Sequence, residues 1–190
     1  MDWLAFSIVI FLLLVSAFFA ASETALTGAS RASMLRLTKQ GNREAAVVSS
    51  LLAMRERLIG ALLLGNNIAN IGASALATSI FTAWFGEVGV LYATAVMTAM
   101  VVIFAEVLPK TIAVTNPDRT ALLLARPVSI SVALLGPILT AIEAFIRGLL
   151  RLFGIRIEEN QPILSATEDS SSARNRRPRT FLPNACGSPR

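Results

Sequence analysis

Histidine is absent from this chain of 190 residues, cysteine occurs once, and only 15% of the residues are charged. Without histidine the chain has no imidazole for acid–base catalysis or zinc ligation, and the single Cys186 excludes an internal disulfide framework. We find no convincing nucleophile–base pair and no glycine-rich phosphate loop, so we expect neither an enzyme nor an ATP site. With 54% apolar residues, the composition departs from that of a water-soluble domain.

The net charge of +5 comes from one end of the chain. No acidic residue follows Asp169, whereas five arginines do: Arg174, Arg176, Arg177, Arg179 and Arg190. Residues 1–169 therefore carry 12 basic and 12 acidic side chains and have no net charge. A basic excess confined to a tail does not predict a nucleic-acid partner.

Three apolar runs, 3–21, 58–85 and 88–114, are each long enough to cross a bilayer about 30 Å thick. Backbone in lipid must satisfy its own hydrogen bonds, so the runs predict an all-α membrane protein with three transmembrane helices. A cleaved signal peptide is the alternative for the first run. Its acidic start at Asp2 and its length argue against cleavage.

Basic residues predict how the chain is oriented in the membrane. Six of them lie between the first and second runs, and none lies in the short 86–87 turn between the second and third. The positive-inside rule then places the N-terminus outside and the C-terminus in the cytoplasm. The connection 28–54 reads as a cytoplasmic pair of short helices joined at Gly41.

The segment 121–145 is apolar but carries Pro127 and a Gly136-Pro137 step. We expect these residues to interrupt it, so that it forms a bent helix in the inner interface or a re-entrant piece and continues into an amphipathic stretch, 142–155. A fourth crossing is the alternative. The expected division is a transmembrane domain, 1–164, and a disordered basic tail, 165–190.

Polar residues inside the apolar runs are costly in lipid and therefore point to a site. Helical rise places three groups of them between mid-membrane and the cytoplasmic side. They are Ser16, Ser22, Glu23 and Thr24 in the first run, Asn66, Asn67 and Asn70 in the second, and Glu106, Pro109 and Lys110 in the third.

Every candidate ligand in these groups is an oxygen atom, the donor type that hard cations such as Mg²⁺, Ca²⁺ and Na⁺ prefer. Pro109 has no N–H, so we expect it to open the helix and free the carbonyl of Ala105 for a cation. Two structural alternatives remain open. Glu106 and Lys110 are four residues apart and could neutralise each other, and the asparagines could hold helices together.

The sequence resembles the CNNM/CorC family of magnesium transport proteins, specifically their membrane domain. The resemblance covers roughly residues 3–164 and rests on three strings in order: Ser22-Glu23-Thr24-Ala25-Leu26, Gly65-Asn66-Asn67-Ile68-Ala69-Asn70 and Ala105-Glu106-Val107-Leu108-Pro109-Lys110-Thr111. Some members are called hemolysin-like, although nothing in this sequence suggests a pore-forming toxin.

The resemblance implies a juxtamembrane belt helix and a homodimer in the plasma (inner) membrane that binds dehydrated Mg²⁺ and exports it in exchange for Na⁺. It implies metal ligation by Ser22, Asn70 and Glu106 first, with Asn66, Asn67 and Ser16 behind them, and a shaping role for Pro109, Lys110 and Ala105. A non-transporting scaffold or sensor that modulates another transporter is the alternative. Family members usually continue into cytosolic CBS domains, so the tail suggests a truncation or a change of reading frame.

Overall fold

Helices make up the fold throughout the region that the computed structural model describes, residues 2–152, and no strand occurs there. The α-helices are α1 (Asp2–Gly28), α2 (Arg31–Lys39), α3 (Arg43–Ala53), α4 (Arg55–Phe85), α5 (Gly89–Met100), α6 (Leu108–Thr115) and α7 (Pro117–Leu152). A 3₁₀ turn, Gly86–Val88, joins α4 to α5, and a π-helical segment, Val101–Val107, joins α5 to α6. The all-α prediction is confirmed.

By internal contacts the chain divides into two units, Met1–Ile146 and Arg147–Arg190. The first unit contains all the helices up to α7 and most of α7 itself. The described residues of the second unit form the C-terminal end of α7. The predicted tail, 165–190, and the end of the predicted amphipathic stretch lie outside the described residues.

Three helical stretches are long and apolar enough to cross a membrane: Trp3–Gly28, Arg55–Thr115 and Pro117–Leu150. The second is a hairpin, because the chain turns at Gly86, whose φ of 65° is readily accessible only to glycine. Beyond the turn α5 packs back on α4, so closely that a Cβ at Gly89 would overlap the carbonyl group of Phe81. Both limbs exceed about 40 Å at helical rise, and they are the predicted second and third spans.

Helix α1 packs against α4, and the contacts show that the two run in opposite directions. The ring of Phe19 fills the space where Gly65 lacks a side chain, and the side chain of Leu12 lies 3.4 Å from a Cβ built at Gly72. Small residues on α4 thus let α1 approach closely, as is common where helices meet in membranes. Since α5 and α6 run back along α4, they are parallel to α1.

The connection between α1 and α4 is the predicted helix pair. Ser30 caps α2 by accepting from the N–H of Ser33, and Asn42 caps α3 by accepting from the N–H of Ala45 at 3.0 Å. Gly41, with a φ of 87°, makes the turn between them. The predicted pair joined at this glycine is confirmed.

One prediction about α7 is wrong, because neither Pro127 nor Pro137 interrupts this helix. Each proline removes one backbone hydrogen bond, yet both lie on the exposed face, where the freed carbonyls are not buried. The opposite face holds the helix in place through a buried stripe at helical spacing: Ala121, Ala125, Val128, Val132 and Leu139.

Successive residues of α7 contact the end of the bundle where α1 ends and α4 begins. We call this end, with the exposed Arg31, Arg36, Arg43, Arg55 and Arg57, the basic end. The contacts in order are Pro117 with Gly28, Asp118 with the N–H of Ser30, Arg126 with Glu44, Gly136 with Arg57, and Leu139 with Gly60. These contacts span about 33 Å of α7, but the residues that they meet reach only about 8 Å along α4 from its first residue. Helix α7 therefore runs across the basic end as a belt rather than alongside the spans.

Candidate cation site

A buried hydrogen bond joins α1 to α4 in the middle of the bundle. The hydroxyl of Ser16 donates to Oδ1 of Asn66 at 2.6 Å, and both side chains are removed from solvent. We call these two residues the polar pair. A short bond between two predicted ligands on different helices places the first and second polar groups at the same level.

Asn70 lies one helical turn beyond Asn66 on α4. Its Oδ1 atom is buried and has no hydrogen-bond partner within the described part of the chain. An unpaired buried acceptor costs about 1–3 kcal/mol, so native proteins rarely keep one without a ligand or a function. This oxygen is free to accept a cation.

Glu106 lies in the π-helical segment, which departs from α geometry just before Pro109. The N–H of Leu108 donates to the carbonyl of Ile103, five residues back instead of four. Such π segments occur frequently at functional sites. The half-buried carboxylate of Glu106 makes no hydrogen bond or ion pair with any residue between 2 and 152. Its neighbour Ala105 is fully buried.

Lys110 does not neutralise Glu106, although the two are four residues apart. Its ammonium group lies 3.6 Å from the carboxylate of Glu23 on α1, and both side chains are partly exposed. We call this contact the end ion pair. The ammonium group thus bonds across to α1, and the first structural alternative, an ion pair within one helix, is not formed.

The level of Glu106 along the bundle follows from the end ion pair. One turn before the members of that pair lie Phe19 on α1 and Glu106 on the parallel limb. The ring of Phe19 packs against Gly65, the residue before Asn66. The carboxylate of Glu106 is therefore within about one turn, ~5 Å, of the polar pair along the bundle axis.

Two predicted ligands lie apart from the others. Asn67 is exposed, because one residue on an α-helix turns the side chain by about 100° from the face that carries Asn66. Ser22 is buried, but it is about 9 Å nearer the basic end than Ser16, and its hydroxyl donates to the carbonyl of Phe18 at 2.7 Å. The other four predicted ligands, Ser16, Asn66, Asn70 and Glu106, lie within about two helical turns of one another along the bundle axis. We call these four the candidate site.

The candidate site combines one carboxylate with neutral amide and hydroxyl oxygens. Among residues 2–152 no cluster of three or more histidine, cysteine or acidic side chains occurs that could hold a metal ion. The donor set nevertheless fits a hard cation, since it contains a charged oxygen and a neutral oxygen that both lack partners.

Sequence reasoning missed the end ion pair and the packing of the Phe19 ring against Gly65. An aromatic residue on one span and a glycine on its neighbour were the available signal.

Helices of bilayer length that enclose unpaired oxygen ligands define a multi-pass membrane protein with a polar interior site. Residues 7–175 match the model of the family CNNM, described as the Cyclin M transmembrane N-terminal domain. The chain belongs to this family of transporter-type membrane domains, which is generally associated with membrane transport of divalent cations and is not an enzyme family.

The chain is similar to several curated proteins. It is 42% identical to the UPF0053 inner membrane protein YfjD of Escherichia coli (strain K12) over 147 residues, 76% of this chain and 34% of that protein. It is 29% identical to a UPF0053 protein of Haemophilus influenzae over 86% of this chain and 39% of that protein. A chloroplastic DUF21 domain-containing protein of Arabidopsis thaliana is 34% identical over 76% of this chain. The chain spans between about a fifth and two fifths of the length of these relatives.

Proposed function

We propose that this domain binds Mg²⁺ at the candidate site and carries it across the membrane. The observation that supports this most directly is the buried Oδ1 of Asn70, which has no hydrogen-bond partner within the described residues. An ionisable group in a membrane-spanning segment usually serves a pathway or a ligand. The family of this chain points in the same direction.

The choice of Mg²⁺ follows from the ligands and from the packing around them. All donors are oxygens, and Mg²⁺ needs near-octahedral oxygen geometry at about 2.0–2.1 Å. Phe19 against Gly65 leaves little free space beside the candidate site, which favours ligands held in fixed positions. A single carboxylate keeps the affinity moderate, and a transported ion must also be able to leave.

For transport the candidate site must open to one side of the membrane at a time. The hydroxyl of Ser16 donates to Oδ1 of Asn66 and so joins α1 to α4, and the two helices separate at this level only when this bond breaks. The π-helical segment offers a place for that change, because its widened turns are less constrained than α-helix. Ser22, nearer the basic end, would then be the next ligand on the path of the ion.

The remaining parts of the proposal concern coupling and assembly. We propose that the domain works as a homodimer in the plasma (inner) membrane, with its N-terminus outside and its basic end in the cytoplasm. We propose Na⁺ as the counter-ion for Mg²⁺ export, since Na⁺ takes the same oxygen ligands as the larger hard cations. The arginines of the basic end support this orientation through the positive-inside rule.

Titration calorimetry in detergent tests the binding step. Glu106→Gln keeps the shape of the side chain but removes its charge, and we expect Mg²⁺ affinity to fall about tenfold or more. Glu87→Gln makes the same change on an exposed turn at the opposite end of the bundle and should leave affinity unchanged. Ser22→Ala should weaken binding less than Glu106→Gln does. Equal affinity in the wild type and Glu106→Gln would contradict the proposal.

Reconstitution separates transport from binding alone. Purified chain in liposomes loaded with a Mg²⁺-sensitive dye should change the internal Mg²⁺ concentration, and an inward Na⁺ gradient should accelerate export. Glu106→Gln should abolish the signal and Glu87→Gln should not. Binding without flux would favour the scaffold or sensor function.

A further inference from the structure

A small cavity lies at the basic end, apart from the candidate site. It is enclosed by the end of α1, the start of α2, the end of α3 and the start of α4. The lining residues that matter here are Leu26, Thr27, Arg31, Leu52, Arg55 and Leu58. Because α1 and α4 are bilayer-length helices, this junction lies at the level where the membrane meets water.

The rim of the cavity carries positive charge that no lining residue balances. Arg31 and Arg55 are among the lining residues, and no acidic residue is. Nη2 of Arg31 donates to the carbonyl of Leu52 at 3.3 Å, which holds this side chain across the end of α3. Arg55 makes no hydrogen bond or ion pair with the rest of the described chain. Several guanidinium N–H donors therefore remain available to an anion.

The floor of the cavity is apolar. Leu26 and Leu58 are almost completely buried, and Ile59 lines the cavity beside them. A basic rim above an apolar floor at the membrane–water boundary matches a phospholipid, whose phosphate lies directly above its glycerol and acyl groups. A free phosphate ion would make no use of the apolar floor.

We propose that this cavity binds the phosphate of an anionic phospholipid between Arg31 and Arg55. Bidentate donation by guanidinium groups is the usual mode of phosphate recognition by arginine. The bound lipid would join the start of α2, through Arg31, to the start of α4, through Arg55. This proposal does not depend on cation transport.

Native mass spectrometry of the full chain in detergent tests it, with a few molecules of phosphatidylglycerol or phosphatidylcholine added per protein. Because a detergent solution offers no continuous charged membrane surface, a lipid that stays bound to the protein reports a specific site rather than general charge attraction. The wild type should retain one phosphatidylglycerol per chain in preference to phosphatidylcholine. Arg31→Gln combined with Arg55→Gln should weaken that binding about tenfold or more, the scale expected for two arginine contacts to an anionic headgroup.

The matched control is Arg36→Gln combined with Lys39→Gln, which removes two positive charges from exposed positions on α2 that do not line the cavity. This variant should retain phosphatidylglycerol as the wild type does. Equal losses in the two double variants would overturn the proposal in favour of general charge attraction. Displacement of the lipid by millimolar inorganic phosphate would overturn the choice of a lipid. A melting temperature in detergent equal to that of the wild type would show that the cavity variant folds.

Discussion

The interior of the bundle and its basic end both contain polar groups, but the two regions differ in how many of these groups have hydrogen-bond or ion-pair partners. At the basic end, Ser30 and Asn42 cap helices, Asp118 accepts from a backbone N–H at 2.8 Å, and Glu44 pairs with Arg126 at 2.6 Å. In the interior, the polar pair and Ser22 are satisfied, whereas Asn70 and Glu106 lack partners within the described residues.

This difference separates polar groups that hold the fold from those available to a ligand. An unpaired acceptor next to water costs little, because water completes its hydrogen bonds. Buried in a membrane protein, the same acceptor is costly and has no such substitute. The unpartnered oxygens in the interior are therefore better evidence for a ligand site than the larger number of charges at the basic end.

The largest effect on stability should come from filling the interior. Gly65→Val would drive its side chain into the ring of Phe19, and we expect a loss of about 3 kcal/mol in the free energy of unfolding. Gly72→Ala is the control on the same helix, since its added Cβ would make an ordinary contact with Leu12 at 3.4 Å. Thermal unfolding in detergent measures both. Equal stability of the two variants would show that the interior is not close-packed at this level.

Removing the hydrogen bond of the polar pair should have the next largest effect on stability. Ser16→Ala leaves Oδ1 of Asn66 buried without its donor, which should cost about 1–2 kcal/mol in the free energy of unfolding. Ser50→Ala on α3 removes a hydroxyl that bonds only locally, to the carbonyl of Val47, and should cost less. Denaturant unfolding would compare them. A larger loss from Ser50→Ala would reverse the comparison between the two regions.

Removing the unpartnered oxygen should behave in the opposite way. Asn70→Leu replaces a buried unsatisfied acceptor by an apolar group of similar size, so the free energy of unfolding should stay the same or rise by up to about 1 kcal/mol. We expect Mg²⁺ to raise the melting temperature of the wild type but not that of Asn70→Leu. A variant that loses stability without Mg²⁺ and keeps its response to the ion would contradict a ligand role for Asn70.

The smallest effect should appear at the basic end and should depend on pH. A hydrogen bond from its own backbone N–H, followed by the nearby Arg126, lowers the pKa of Glu44 below its ordinary value of 4.5. Wild type should therefore be slightly more stable than Glu44→Gln above pH 4.5, and the difference should fade as pH falls through the lowered pKa.

Melting temperatures between pH 7 and pH 3 would show this trend. Glu56→Gln is the control, because Glu56 is exposed and makes no ion pair within the described part of the chain. A difference between wild type and Glu44→Gln that grows on acidification would contradict the assignment.

The relative level of the polar groups along the bundle was predictable from sequence, because helical rise and alternating direction fix it. The rotation of a side chain about its helix was harder to predict, as Asn67 shows, since it depends on which face packs against a neighbour. Which acidic residue forms an ion pair with Lys110 was not predictable at all. Spacing alone favoured Lys110 with Glu106, but the packing of α6 against α1 brings Glu23 within reach instead. The continuity of α7 through two prolines likewise depended on tertiary packing against its other face.

The π-helical segment has a consequence for how the third span can vary. A π-bulge accommodates one residue more than an α-helix of the same length, so everything that follows it is rotated by roughly 100° relative to an uninterrupted helix. Deleting a single residue between Val101 and Val107 would restore regular winding without shortening the span appreciably. The ammonium group of Lys110 would then stay beside α1, because the deletion removes only the extra residue that the bulge accommodates. Straightening the segment without a deletion would instead turn Lys110 away from Glu23.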